Sequence, residues 1–250
     1  MSEKNFIECL PRKSAFKVGL ASGLGIAFVI GFFILLGFLM NKNDNASGSG
    51  GSENIGYINK NNNNEESNDN TLLNVAESIG VNIKKLEKCT EDDKFASKVA
   101  ESIKSAQAAG ARGTPYSVIL YKDLKVVIPG ALPYDQVKLM LDAMITGETP
   151  DTNDPSINII PINDSDWVLG KKDGEISIIQ FTDLDCPFCK RFHVTMHKVV
   201  DNYPNVGWAL RHFPLTQLHP DAVNKAKTAE CVGDVGGNDK FWKFVDELSK

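Results

Sequence analysis

Cys186-Pro187-Phe188-Cys189 stands where an apolar strand gives way to a helix, and no other stretch of the chain narrows its fold and chemistry as far. Ile176, Ile178, Ile179 and Phe181 read as a mostly buried strand, and Phe192, Met196, Val199 and Val200 recur at helical spacing just after the second cysteine. At the start of a helix, free backbone N–H groups and the helix dipole stabilise a thiolate, which makes Cys186 the nucleophile. Pro187 suits the first helical turn because it has no N–H to leave unpaired. Cys189, one turn on, is then the thiol that resolves a mixed disulfide formed by Cys186. A bare C-x-x-C has two other readings, a structural disulfide or half of a zinc site. Zinc needs two further ligands, and His193 and His197, although four apart, lie on the same helix as the thiols, so no metal is assigned. They read as ordinary surface or packing histidines, as do His212 and His219.

At 250 residues, 42% hydrophobic and 24% charged, the chain has room for one ordinary domain with appendages, and a net charge of -5 gives no reason to expect nucleic acid. Residues 18–40 are 23 positions without a charge, long enough to cross a bilayer with some tilt. A cleaved signal peptide would have a shorter apolar region and a small-residue cleavage site, which Phe38-Leu39-Met40-Asn41 does not offer. Lys4, Arg12, Lys13 and Lys17 precede the span and only Lys42 closely follows it, so residues 1–17 are expected in the cytoplasm and the rest of the chain outside. Gly19, Gly23, Ala27 and Gly31 recur every four residues as a small-residue face for helix pairing. Cys9 stands apart from the other cysteines as a free thiol or an acylation site, and the remaining four form an even set in an oxidising compartment. Residues 41–70 are almost all polar, too poor in apolar surface to order, and read as a tether spanning about 30 Å.

Beyond the tether, helices are expected around residues 72–79, 83–88 and 92–109, followed by Arg112-Gly113-Thr114-Pro115-Tyr116. Residues 117–121 and 125–128 read as a hairpin, 133–145 as a helix packed on a sheet, and 146–166, with Pro150, Pro155 and Pro161, as a connection with little regular structure. The redox strand and helix come next, then a strand over 206–211 and helices over 222–231 and 241–248. The minimal expectation is an α/β domain with a mixed sheet and flanking helices.

These residues resemble the DsbA-like branch of the thioredoxin superfamily. Phe181-Thr182-Asp183 ahead of Cys186-Pro187-Phe188-Cys189-Lys190-Arg191-Phe192-His193 is similar to that family's active-site segment. Arg211-His212-Phe213-Pro214-Leu215 with His219-Pro220 is similar to its next strand and loop, and Glu230-Cys231 and Gly237-Asn238-Asp239-Lys240-Phe241-Trp242 continue the pattern. Gly113-Thr114-Pro115 resembles the family's cis-proline loop, which faces the active-site disulfide and helps hold substrate peptide. In the family that loop follows the cysteines; here it precedes them. The family's helical insertion breaks off after 241–250 and resumes at 71–76, so the resemblance implies a circularly permuted thioredoxin fold with an inserted helical subdomain, preceded by one transmembrane helix. Residues 71–145 would carry the second half of the insertion, the cis-proline hairpin and the terminal helix. Residues 146–166 would join the halves, and 167–250 would carry the redox strand-helix-strand and the first half of the insertion. A dimer swapped between chains, or a sequence truncated at Lys250, are the alternatives.

The resemblance implies a thiol-disulfide oxidoreductase without a cofactor. Cys186 and Cys189 would be catalytic, the backbone of Thr114 with Pro115 would hold substrate peptide, and Pro187, Phe188, Asp183 and Gln180 would support the site. Gln180 stands where many relatives have a buried acid used in proton transfer, leaving that role unfilled or met by Asp183; Asp183 and Asp185 also read as solvated carboxylates. Cys89 and Cys231 lie on helices flanking the seam, where some relatives carry a second disulfide; two buried free thiols are the other reading. The implied substrates are unfolded or reduced secreted proteins on the outer side of a bacterial cell membrane. A quinone-linked membrane reoxidase of the DsbB or vitamin K epoxide reductase type would restore the disulfide. A reductase or isomerase, or a redox-inert tethered binding module, are the competing functions.

Overall fold

The computed structural model describes residues 62–250. The predicted cytoplasmic segment and membrane span, residues 1–40, and most of the tether lie outside the described residues. Among the described residues no helix is long and apolar enough to cross a membrane. The described residues gather into one compact unit.

Three helices come first: α1 (Asn62–Ser78), α2 (Ile83–Glu91) and α3 (Ala96–Ala108). The first of these starts inside the stretch assigned to the tether, where Asn and Glu residues suit the amino end of a helix. Its carboxy-terminal part packs Leu72 and Ala76 into the core, which explains why the order extends that far. Strands β1 (Tyr116–Tyr121) and β2 (Leu124–Pro129) form the expected hairpin and lead to α4 (Tyr134–Thr146). A three-residue strand, β3 (Val168–Gly170), too short to show a period, precedes β4 (Ile176–Thr182), α5 (Pro187–Asn202), β5 (Val206–His212), α6 (Ala222–Gly236) and α7 (Asn238–Leu248).

The five strands stand in the order β2-β1-β4-β5-β3, with β4 and β5 parallel and the other pairs antiparallel. Alternation along β4 divides its side chains between two cores. Ile176 and Ile178 face a large core shared with α1, α2 and α4 to α7, whereas Ile179 and Phe181 face a smaller one closed by Ala106 of α3 and Ala109 at its C-cap. Ile157 and Ile159 also belong to the smaller core, so the joining segment, although irregular, is docked rather than loose. Val127 donates its N–H to Thr152 O at 3.1 Å, and Arg211 clamps the segment through Asp166 (2.8 Å), Ile160 O (2.8 Å) and Pro161 O (3.0 Å).

Two buried features tie the helical layer together. Cys89 on α2 is bonded to Cys231 on α6, with Cα atoms 5.8 Å apart. Glu230, beside it, is 2% exposed and accepts hydrogen bonds from Lys98 Nζ and Trp167 Nε1, both at 2.7 Å, with His212 Nε2 3.2 Å away. Burial works against the Glu230 carboxylate, but His212 and Lys98 outweigh it and hold the group below its ordinary value.

Candidate active site

Strand register assembles the site. Because β1 runs antiparallel to β4 with Tyr116 opposite Phe181, the residues entering β1 lie beside those leaving β4. Thr114 and Pro115, joined by a cis peptide bond, are thereby brought against the loop that carries Cys186. Cys186 Sγ lies 3.5 Å from the Thr114 carbonyl oxygen, to which the thiol donates. Cys186 is the N-cap of α5, with extended backbone, and Pro187 opens the helix. Its carbonyl accepts the Lys190 N–H at 3.1 Å, while its own N–H donates to Asp183 O at 3.1 Å. Phe188 points outward, 55% exposed, with the Arg191 guanidinium 4.9 Å over its ring.

Cys189 sits one turn along the buried face of α5, which it shares with Phe192, His193, Met196 and Val199. Both cysteines are free thiols. Burial pushes the Cys189 thiol up to about 12, against hydrogen bonds from Thr182, the Asp183 backbone and Thr114 that favour its thiolate; the charge of an ionised Cys186 raises it further. The two thiols are therefore inequivalent. Both are buried, but Cys186 touches the Thr114-Pro115 loop whereas burial holds Cys189 protonated.

Asp183 is not solvated. Its carboxylate is buried and accepts from Asp185 N (2.8 Å), Leu215 N (2.8 Å) and His219 Nδ1 (2.9 Å), tying the cysteine loop to the loop after β5. Asp185 is partly exposed and pairs with Lys225. Gln180 is 1% exposed and lies two residues before Thr182 on the α5 side of β4, directly opposite Ser117 of β1. Gln180 Oε1 and Ser117 Oγ find no hydrogen-bond partner within the protein.

Thr182, Ser117, His219 and the Leu215 N–H were absent from the sequence-derived site. Thr182 shares Gln180's strand parity, a signal that was readable; the others come into place only through strand pairing and loop packing. Cys89 and Cys231 are not part of the site. The disulfide between them lies in the helical layer.

Farther along α5, His193 is buried against Trp208 and Trp242, with ring centroids 5.1 and 6.3 Å away, and His197 is partly exposed. Both reach Asp246 of α7. Burial moves His193 down, whereas its bond to Asp246 moves His197 up; Asp246, despite a desolvation cost, is held below the usual carboxylate range by the two imidazoles.

Comparison with known proteins places families on both halves. Residues 163–250 match the thioredoxin family profile, and residues 58–142 match that of the DSBA-like thioredoxin domain. The chain is 31% identical to the Na(+)/H(+) antiporter NhaA 1 of Salinispora arenicola over 91 residues, 36% of this chain and 14% of the antiporter. It is 33% identical to the Na(+)/H(+) antiporter NhaA 1 of Mycolicibacterium vanbaalenii over 86 residues, again 14% of that protein. A candidate protein-disulfide oxidoreductase of Rickettsia bellii is 30% identical over 94 residues, 36% of this chain and 34% of the relative. The chain thus spans about one seventh of the antiporters and about one third of the oxidoreductase. The two profile matches and the oxidoreductase relative make each half of the chain similar to proteins of the thioredoxin superfamily, residues 58–142 to its DSBA-like branch.

Proposed function

We propose that this protein introduces disulfides into secreted proteins, with the Cys186–Cys189 pair as the oxidant. The observation that carries this reading is the placement of the thiols: Cys186 at the helix N-cap, 3.5 Å from Thr114 O, and Cys189 one turn on, both buried. A substrate thiolate attacks Sγ of the Cys186 half of the disulfide. The Cys186–Cys189 bond breaks, a substrate–Cys186 bond forms, and the leaving Cys189 thiolate takes up a proton. The substrate's second thiolate then attacks the substrate sulfur of the mixed disulfide and releases Cys186 as a thiolate. Two electrons pass from the substrate dithiol to the domain.

A protonated Cys189 is a slow attacking group and, when Cys186 is attacked, a slow leaving group, so its burial slows exchange in both directions and the redox potential of the pair sets the net direction. Beside the site, Ala131, Leu132, Pro133, Tyr134, Phe188 and Val194 line an open, largely apolar groove suited to an unfolded segment. Reoxidation would fall to a quinone-linked membrane partner of the DsbB or vitamin K epoxide reductase type. The apolar run 18–40 would anchor the chain near it, with the redox domain outside the cytoplasm.

The order of the two family matches, DSBA-like upstream and thioredoxin downstream, and their inclusion in one compact unit support a circular permutation joined through residues 146–166. Redox titration of the full chain in stepped glutathione buffers, with trapped thiols counted by mass, tests the function. A Cys186–Cys189 potential well above about -180 mV supports the oxidase, and one near about -270 mV makes the protein a reductase. A pair that does not titrate leaves a redox-inert binding module.

A further inference from the structure

Two and three turns beyond its N-cap, the redox helix carries a second group of chemically active side chains. His193 Nε2 lies 2.7 Å from Asp246 Oδ1, His197 Nε2 lies 2.8 Å from the same oxygen, and the two imidazole nitrogens are 3.0 Å apart. Among the described residues, this is the one group of three or more metal-ligating side chains whose donor atoms converge. We propose that His193, His197 and Asp246 bind one divalent first-row transition cation.

With Asp246 ionised, no placement of the imidazole protons satisfies all three edges. If both Nε2 atoms carry hydrogen, both donate to Asp246 Oδ1, but two N–H groups then confront each other across 3.0 Å. If one is bare, its lone pair faces the carboxylate oxygen at 2.7 or 2.8 Å with no hydrogen between them. Each tautomer therefore leaves one edge repulsive. A cation removes the conflict, because all three atoms then present lone pairs to a positive charge.

The dimensions fit. A cation about 2.0–2.1 Å from each donor would stand roughly 1.2 Å out of their plane, with ligand–metal–ligand angles of roughly 80–95°. That is the facial arrangement of two histidines and a carboxylate that leaves further positions open; widening the edges to about 3.3 Å would give a tetrahedral zinc site instead. His193 is buried, while His197 and Asp246 are about a third exposed, so one side is closed by protein and the other admits water or a further ligand. Trp208 and Trp242 form the closed wall, and the charge of Asp201 adds to the negative field at His197. The sequence displays the histidine pair at i and i+4; the carboxylate, 49 positions after His197, is supplied by the packing of α7 on α5. A bound cation would tie those two helices together.

The test uses the full chain with Cys186–Cys189 oxidised and Cys9 alkylated, so that no thiol competes for metal. Zinc binding is followed by calorimetry, and Co2+ binding by quenching of tryptophan fluorescence, since the Trp208 ring is 5.1 and 5.7 Å from the two imidazoles. The expected result is about one zinc per chain, with quenching that saturates at the same ratio and reverses with chelator. His197→Ala and Asp246→Asn, both at partly exposed positions, should each weaken binding at least about tenfold while the far-ultraviolet spectrum stays native. No saturable binding below about 1 mM, or a loss under about tenfold in both variants, would overturn the site.

Discussion

Removing the Cys89–Cys231 bond should be among the most destabilising changes that leave the active site intact. The crosslinked residues are 142 positions apart. In the chain-entropy model, closing a loop of that length removes about 17 cal/mol/K from the unfolded ensemble, or about 5 kcal/mol at 25 °C. The double variant Cys89→Ala/Cys231→Ala should therefore lose about 4–5 kcal/mol of unfolding free energy. For a domain of this size the melting temperature should fall by about 10–20 °C. The assay is urea unfolding by circular dichroism, with Cys186–Cys189 oxidised in both proteins. The dependence on urea should also steepen in the variant, because its unfolded chain is free to expand. A loss below about 1 kcal/mol would refute the argument that the bond acts by restraining the unfolded chain. A non-reducing peptide digest without the Cys89–Cys231 crosslink would refute the bond.

In a Cys186→Ala variant, Cys189 should react with iodoacetamide at pH 8 about 50–100-fold more slowly than an ordinary thiol; this follows from its small thiolate fraction, offset in part by the greater nucleophilicity of a high-pKa sulfur. The same group shapes stability. Its folded value, about 12, lies above the unfolded one, so the reduced protein keeps this contribution below about pH 8.5 and loses it as the pH rises toward the folded value; the oxidised protein, lacking the thiol, should show no such decline in denaturation measured across that range. Asp183→Asn turns an amide N–H either toward the Asp185 N–H or toward the Leu215 N–H and His219, and should cost about 2–3 kcal/mol in urea unfolding, with slower disulfide exchange as the cysteine loop loosens. Gly233→Ala would place a Cβ 2.4 Å from the Trp167 ring and should cost about 1–3 kcal/mol, with a shift in tryptophan emission.

Local order carried much of the fold into the sequence. The period of two across residues 176–181, the switch to a helical period after Cys189, and Pro187 at the first turn place the thiols at a helix start without reference to any distant residue. The hairpin over β1 and β2 and the helices flanking it are readable for the same reason, since each buries one face with its own regular spacing. Strand β3, at three residues, has no period to read, and the beginning of α1 lies in polar sequence where periodicity is silent. The irregular run 146–166 likewise hides its role, because Ile157, Ile159 and Asp166 become core and clamp only against β5 and the second core.

The site divides along the same line. The identities of Cys186 and Cys189 and their order along a helix are properties of adjacent residues, and the sequence by itself determined them. Which thiol meets Thr114, how deeply Cys189 is desolvated, and whether Asp183 faces water or His219 are set by strand register and burial, which depend on residues dozens of positions away. Electrostatic energies depend on distance and on exclusion of water, and neither exists until the chain is folded. For that reason only the tertiary structure decided that Asp246 joins His193 and His197.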